Sequence, residues 1–117
     1  MKAKSAKAKG RRLEKYVHDQ HKAAGVESRM QPGSGIYSAF PHDNHFVLPF
    51  IGPLIGECKA RKSGITTIQR WLGKAEILFI KPDYQDPYVV MPWPTYKAFL
   101  DALVEIKEGE DGQNSPR

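Results

Sequence analysis

Glu57 and Lys59 stand one residue apart at the end of an apolar run, Leu54-Ile55-Gly56-Glu57-Cys58-Lys59. That run reads as a short strand, and residues two apart on a strand project from the same face. A carboxylate and an ammonium group side by side at a strand end can hold a divalent cation and a phosphate together. Asp43, 14 residues upstream of Glu57, can supply a second carboxylate. Two carboxylates on a metal beside a lysine are the equipment for hydrolysing a phosphodiester. The spacing alone is a weak signal, because Glu-x-Lys arises about once by chance in a chain of this length. A second copy, Glu105-Ile106-Lys107, falls in a helical pattern where i and i+2 diverge, and reads as solvated surface. Cys58, between the two motif residues, is expected to face the core as a small apolar side chain.

The elements that must position these groups follow from periodicity and turn residues. A helix from about Gly10 to Ala24 places Leu13, Tyr16, Val17, Gln20 and Ala24 on one face, with Gly25 as its C-cap. Val26–Met30 reads as a strand, and Gln31-Pro32-Gly33-Ser34-Gly35 as a loop. Phe46–Phe50 and the strand ending in Glu57–Lys59 form a hairpin about a turn at Gly52-Pro53, and Asp43 opens it. Thr66 or Thr67 caps a second helix running to about Glu76, with Ile68, Trp71 and Leu72 on its inner face. Ile77–Ile80 and Tyr88–Met91 are two further strands around a turn from Pro82 to Pro87. A last helix begins at Pro94 or Thr95 and stops at Gly109. Trp71 is expected in the core, whereas Trp93, between two prolines, is expected to be exposed. The order α-β-β-β-α-β-β-α implies a mixed α/β domain, with a sheet of about five strands flanked by helices. Residues 1–9 read as a flexible basic arm, 10–107 as the domain and 108–117 as a disordered polar tail.

With 117 residues the chain suits one domain with one core. No apolar run approaches the roughly 20 residues of a membrane span, and the basic N-terminus has no apolar segment of a secretory signal. One cysteine excludes an intramolecular disulfide and fits a reducing cytoplasm. The net charge of +5 favours an anionic partner. Its distribution is uneven: Lys2, Lys4, Lys7, Lys9, Arg11, Arg12 and Lys15 crowd the start, and acids crowd the end. The first run is either a solvated arm or one that neutralises phosphates.

Taken together, Gly10-Arg11-Arg12-Leu13-Glu14, Arg29-Met30-Gln31-Pro32-Gly33-Ser34-Gly35, Asp43 and Gly56-Glu57-Cys58-Lys59-Ala60-Arg61-Lys62 resemble the PD-(D/E)XK nuclease superfamily. Within it the chain is most similar to the archaeal-type Holliday junction resolvases and their small phage-borne relatives. The likeness covers about residues 10 to 105, with Tyr88-Val89-Val90-Met91-Pro92 a less specific match. It departs around the aspartate, where Phe40-Pro41-His42-Asp43-Asn44-His45 has the proline one place early and polar residues following.

The resemblance implies a restriction-endonuclease-like core and a role for each matched residue. Asp43 and Glu57 would ligate Mg²⁺, for which Mn²⁺ can substitute, with the Cys58 backbone carbonyl as a further ligand. Lys59 would orient the attacking water and stabilise charge on the phosphate. Glu14 would be a further carboxylate beside the metal, and Gln69 a weaker contributor. Arg29 and Ser34 would touch the scissile or flanking phosphate. Arg11, Arg12, Arg61 and Lys62 would hold the DNA backbone without reading sequence. A four-way junction has two cleavage sites related by a two-fold axis, so a homodimer is the simplest assembly. Surplus apolar residues, among them Trp71, Phe79 and Val89, are candidates for its interface.

Alternatives stay open for several of these. Glu14 can be an exposed helix residue, and Pro-Gly-Ser-Gly a plain turn. His42 and His45 can be hydrogen-bonded turn residues or metal ligands, though two ligands fall short of a structural zinc site. The expected activity is structure-selective cleavage of branched DNA. The competing readings are a nuclease with another DNA substrate, acting on nicks, forks or duplex, and a catalytically silent DNA-binding accessory of the same fold.

Overall fold

A computed structural model of the chain describes the backbone of residues 2–30 and 43–114, and the side chains of 8–30 and 44–112. The elements are α1 (Lys2–Ala23), β1 (Glu27–Met30), β2 (Asp43–Leu48), β3 (Gly52–Glu57), α2 (Thr66–Leu72), β4 (Leu78–Ile80), β5 (Tyr88–Val90) and α3 (Trp93–Asn114). The element order is the one that periodicity and turn residues imply, and the fold is mixed α/β. The chain divides into two compact units. One is the chain through Ala60 together with the part from Ala102 onward, and the other is Arg61–Asp101.

In the first unit β1, β2 and β3 form an antiparallel sheet in that order. The β2–β3 hairpin turns at Pro49–Ile51. Phe50 takes a positive φ of 67° and Gly52 one of 99°, and the Ile51 N–H donates to the Leu48 carbonyl at 3.2 Å. The sequence placed this turn at Gly52-Pro53. The tighter turn moves β2 back to begin at Asp43 and β3 to end at Glu57. Leu48 then pairs with Gly52 and Asp43 with Glu57.

α1 packs against β1 and β2. Its C-terminus closes as a Schellman motif. The Val26 N–H reaches the His21 carbonyl (2.9 Å), and the N–H of Gly25, at φ 92°, reaches the Lys22 carbonyl (3.0 Å). A Cβ on Gly25 would come within 3.3 Å of Val104 on α3, so that residue is needed both for its φ and for its smallness. α1 begins at Lys2 rather than near Gly10, because Lys and Ala are strong helix formers and nothing in residues 2–9 breaks the helix. α3 likewise continues past Gly109 to Asn114.

Alternation along β2 decides the core. Asn44, Phe46 and Leu48 are buried under α1, with Val26, Cys58 and Val104 completing the apolar set. Phe46 is the centre of that set. His21 stacks on its ring with centroids 3.9 Å apart and planes 14° apart. On the β3 side, a Cβ at Gly56 would lie 2.7 Å from the Phe46 ring, so only glycine fits there. His18 adds a tie from α1 to β1, its Nδ1 lying 2.8 Å from Ser28 Oγ.

In the second unit β4 and β5 pair, among the described residues, only with each other, Phe79 opposite Val89. The five expected strands are therefore divided into two antiparallel sheets of three and two, where one mixed sheet of about five was expected. A three-residue hairpin satisfies its inner ladder locally, and period-2 patterning does not encode which strand lies beside which. α2 is capped by Ile65, without a side-chain hydrogen bond from either threonine, and ends at Gly73 (φ 54°), short of Glu76. It buries no residue. Trp71 is 58% exposed, whereas Trp93 is half-buried against Tyr96, which reverses the expectation for both tryptophans. The Pro92 carbonyl accepts from the Thr95 and Tyr96 N–H groups and starts α3. No described helix is long and apolar enough to cross a membrane.

Candidate active site

The hairpin brings the sequence motif together. Asp43 and Glu57 are directly opposed in the β2–β3 register, the last pair of the ladder. Lys59 lies just past the end of β3, yet its Nζ reaches Glu57 Oε1 at 3.0 Å. Both side chains of this ion pair are more than half exposed. Cys58, between them, turns inward and is buried. The strand end thus splits its residues, sending acid and base out to solvent and the thiol into the core.

Directly behind the acidic positions is a buried polar bridge. The Cys58 thiol donates to Asn44 Oδ1 (3.1 Å), and Asn44 Nδ2 donates to the Glu14 backbone carbonyl (3.1 Å). Asn44 is fully buried, and Glu14 is 3% exposed. Glu14 is therefore not an exposed helix residue. Its carboxylate and that of Glu57 occupy different surroundings, one enclosed by the helix–sheet interface and one facing solvent. Among the described residues no three His, Cys, Asp or Glu side chains gather as a metal site. The side chain of Asp43 lies outside that set.

The remaining expected residues are distributed as follows. Arg11 and Arg12 are exposed on α1. Arg29 is exposed on β1, its guanidinium 4.0 Å from Glu27. It pairs in register with His45, which in turn pairs with Ile55. A groove of about 750 Å³ runs along this face past Glu27, Arg29, His45, Val47, Pro53 and Ile55. Arg61, Lys62 and Gln69 are exposed in the second unit. Ser34 and His42 lie outside the described residues.

Two residues escaped the sequence reading. Asn44 went unnoticed because the strand was started at Phe46; extending the alternation Leu48–Phe46 back by two would have placed a polar residue in the core. His21 gave less signal, as one polar residue on a helix rich in them. Burial pushes its pKa down, only partly opposed by the bond from Nδ1 to the Val17 carbonyl (2.6 Å).

The grouping of Asp43, Glu57 and Lys59 thus stands on the residues and the register. No family model matches the chain, and no curated protein or solved structure matches it either.

Proposed function

We propose that the chain is a metal-dependent, structure-selective endodeoxyribonuclease with a PD-(D/E)XK-type site and a restriction-endonuclease-like core, acting on four-way DNA junctions. The observation that carries the reading is the register: Asp43 opposite Glu57, with Lys59 ion-paired to Glu57. Like charges at directly opposed positions destabilise a hairpin, so two acids closing this ladder are a cost unless a cation lies between them. Lys59 offsets part of it. The donor set of two carboxylates and a backbone carbonyl, all hard oxygens, fits Mg²⁺ or Mn²⁺.

Asp43, Glu57 and the Cys58 carbonyl would hold the ion. Once bound, the metal supplies an activated water and charge stabilisation at the phosphate. Lys59 contributes a fixed positive charge where negative charge grows in the transition state. Its ion pair with Glu57 holds the ammonium at the strand end before substrate arrives. Arg11, Arg12 and Arg29, all exposed, bind phosphates and carry no base readout. Arg61 and Lys62 would have the same role, Ser34 would touch the scissile or flanking phosphate, and Gln69 would be a weaker contributor. A homodimer supplies two sites for the two opposed strands of a junction.

The test is Mg²⁺-dependent cleavage of a synthetic four-way junction beside a linear duplex of the same sequence. Paired cuts in the junction, abolished by EDTA, are expected. The junction should bind at least about tenfold more tightly, or about 1.4 kcal/mol. Equal cutting of duplex would redirect the reading to a general nuclease. Tight binding without cutting in any divalent metal would make the chain a silent accessory.

A further inference from the structure

We propose that Asn44 is the positioning residue of the site. A single buried side-chain amide would lock together the three chain segments that carry Glu14, Asp43 and the Glu57–Lys59 pair. The inference rests on the nuclease reading above and adds to it a residue that neither contacts solvent nor touches substrate.

The pattern of β2 makes Asn44 anomalous. The next two inward positions are Phe46 and Leu48, both buried and apolar, and an apolar residue at 44 would continue the core. A fully buried amide is costly unless its polar atoms are bonded. Here both ends are bonded, one to α1 and one to the residue that follows β3. The Glu14 carbonyl can only accept, so the Nδ2 end must face α1. That leaves Oδ1 toward β3, where the Cys58 thiol donates to it. The amide therefore has one allowed orientation.

Its partners are what give it a role. Asn44 follows Asp43 directly. Cys58 separates Glu57 from Lys59, so holding its side chain inward fixes the alternation that turns those two residues outward. The third tie is to the backbone of Glu14 itself. Supporting groups of this kind keep carboxylates and lysines in register for a metal, and their loss typically costs about 10- to 100-fold in metal affinity or activity.

The experiment uses the full chain with three variants: Asn44→Leu, which removes both bonds at similar volume, Cys58→Ala, which removes the thiol donor, and Cys58→Ser, which keeps a donor. Ca²⁺ affinity is read by titration calorimetry, and kcat and KM on a four-way junction with Mg²⁺. Asn44→Leu should lower kcat by about 100-fold and Ca²⁺ affinity by about tenfold, with KM for the junction within about threefold of wild type. Cys58→Ala should lose about tenfold in kcat, and Cys58→Ser, which restores a donor, should recover about threefold or more of that loss. If Asn44→Leu does not fold, the contrast between the two Cys58 variants decides. Folded variants that match wild type in both kcat and Ca²⁺ affinity, or equal losses in Cys58→Ala and Cys58→Ser, overturn the positioning role. A wild type that neither cleaves junctions nor binds Ca²⁺ removes the nuclease reading itself and this inference with it.

Discussion

The two faces of the three-stranded sheet are built from the same strands and use them for opposite purposes. Under α1, Asn44, Phe46, Leu48 and Cys58 are buried and closely fitted, to the point that Gly56 has no room for a methyl group. On the other face Val47 and Ile55 are 44% and 63% exposed, and the strand end presents Glu57 and Lys59 to solvent. One face holds the fold and the other is open to solvent. Period-2 alternation along β2, with Asn44, Phe46 and Leu48 buried between the less buried His45 and Val47, lets one strand serve both, and a one-residue slip would exchange the roles.

That contrast breaks if the faces can be exchanged in effect. Substituting Glu57→Ala, on the open face, should cut cleavage by on the order of a thousandfold, as for loss of a preorganised charged group. Thermal unfolding should stay within about 2 °C of wild type, since an exposed group contributes little to stability. A large drop in melting temperature with cleavage intact would invert the assignment. Phe46→Ala, on the packed face, should do the reverse and cost about 3–5 kcal/mol in denaturant unfolding, the range for deleting a buried aromatic ring.

Two smaller effects sharpen the picture. Gly56→Ala places a methyl against the Phe46 ring and should cost about 1–3 kcal/mol by overpacking. Phe46→Leu in the same chain should recover part of that loss, because the clash is with the ring. A change within a few tenths of a kcal/mol would mean that the ring yields freely.

The smallest concerns pH. Burial of His21 against Phe46 lowers its folded-state pKa below the ordinary 6.5, so the unfolded chain binds the proton more readily. Stability from the neutral ring is complete above about pH 6.5 and is lost as pH falls through the lower folded value. Urea midpoints at pH 7.5 and 5.5 should differ in that direction, and His21→Phe should reduce the difference. A midpoint difference unchanged by that substitution would assign it to other groups.

How much of this was legible depends on whether the information is local. The Gly25 cap could be read, because a glycine after a periodic helix is a positive-φ signal carried by one residue. The hairpin could be read to within a few residues, but its turn could not. Pro49, Phe50 and Ile51 look like strand, and only the closed ladder forces Phe50 to positive φ. The acid–lysine motif was visible as a composition, while the pairing of Asp43 with Glu57 came from the register.

The sequence by itself determined the order of elements, the gathering of basic residues at the start of the chain and acidic ones at its end, and the hairpin that Asp43 opens and Glu57 closes. These rest on side-chain period, turn chemistry and charge, which act between near neighbours. Only the tertiary structure decided that the strands divide into sheets of three and two, that Trp71 is exposed and Trp93 half-buried, and that Glu14 and Asn44 are enclosed between helix and sheet. Those outcomes depend on which distant segments meet. Hydrogen-bond ladders and burial reward any strand that pairs and any face that packs, so the selection among partners is made by the assembled chain.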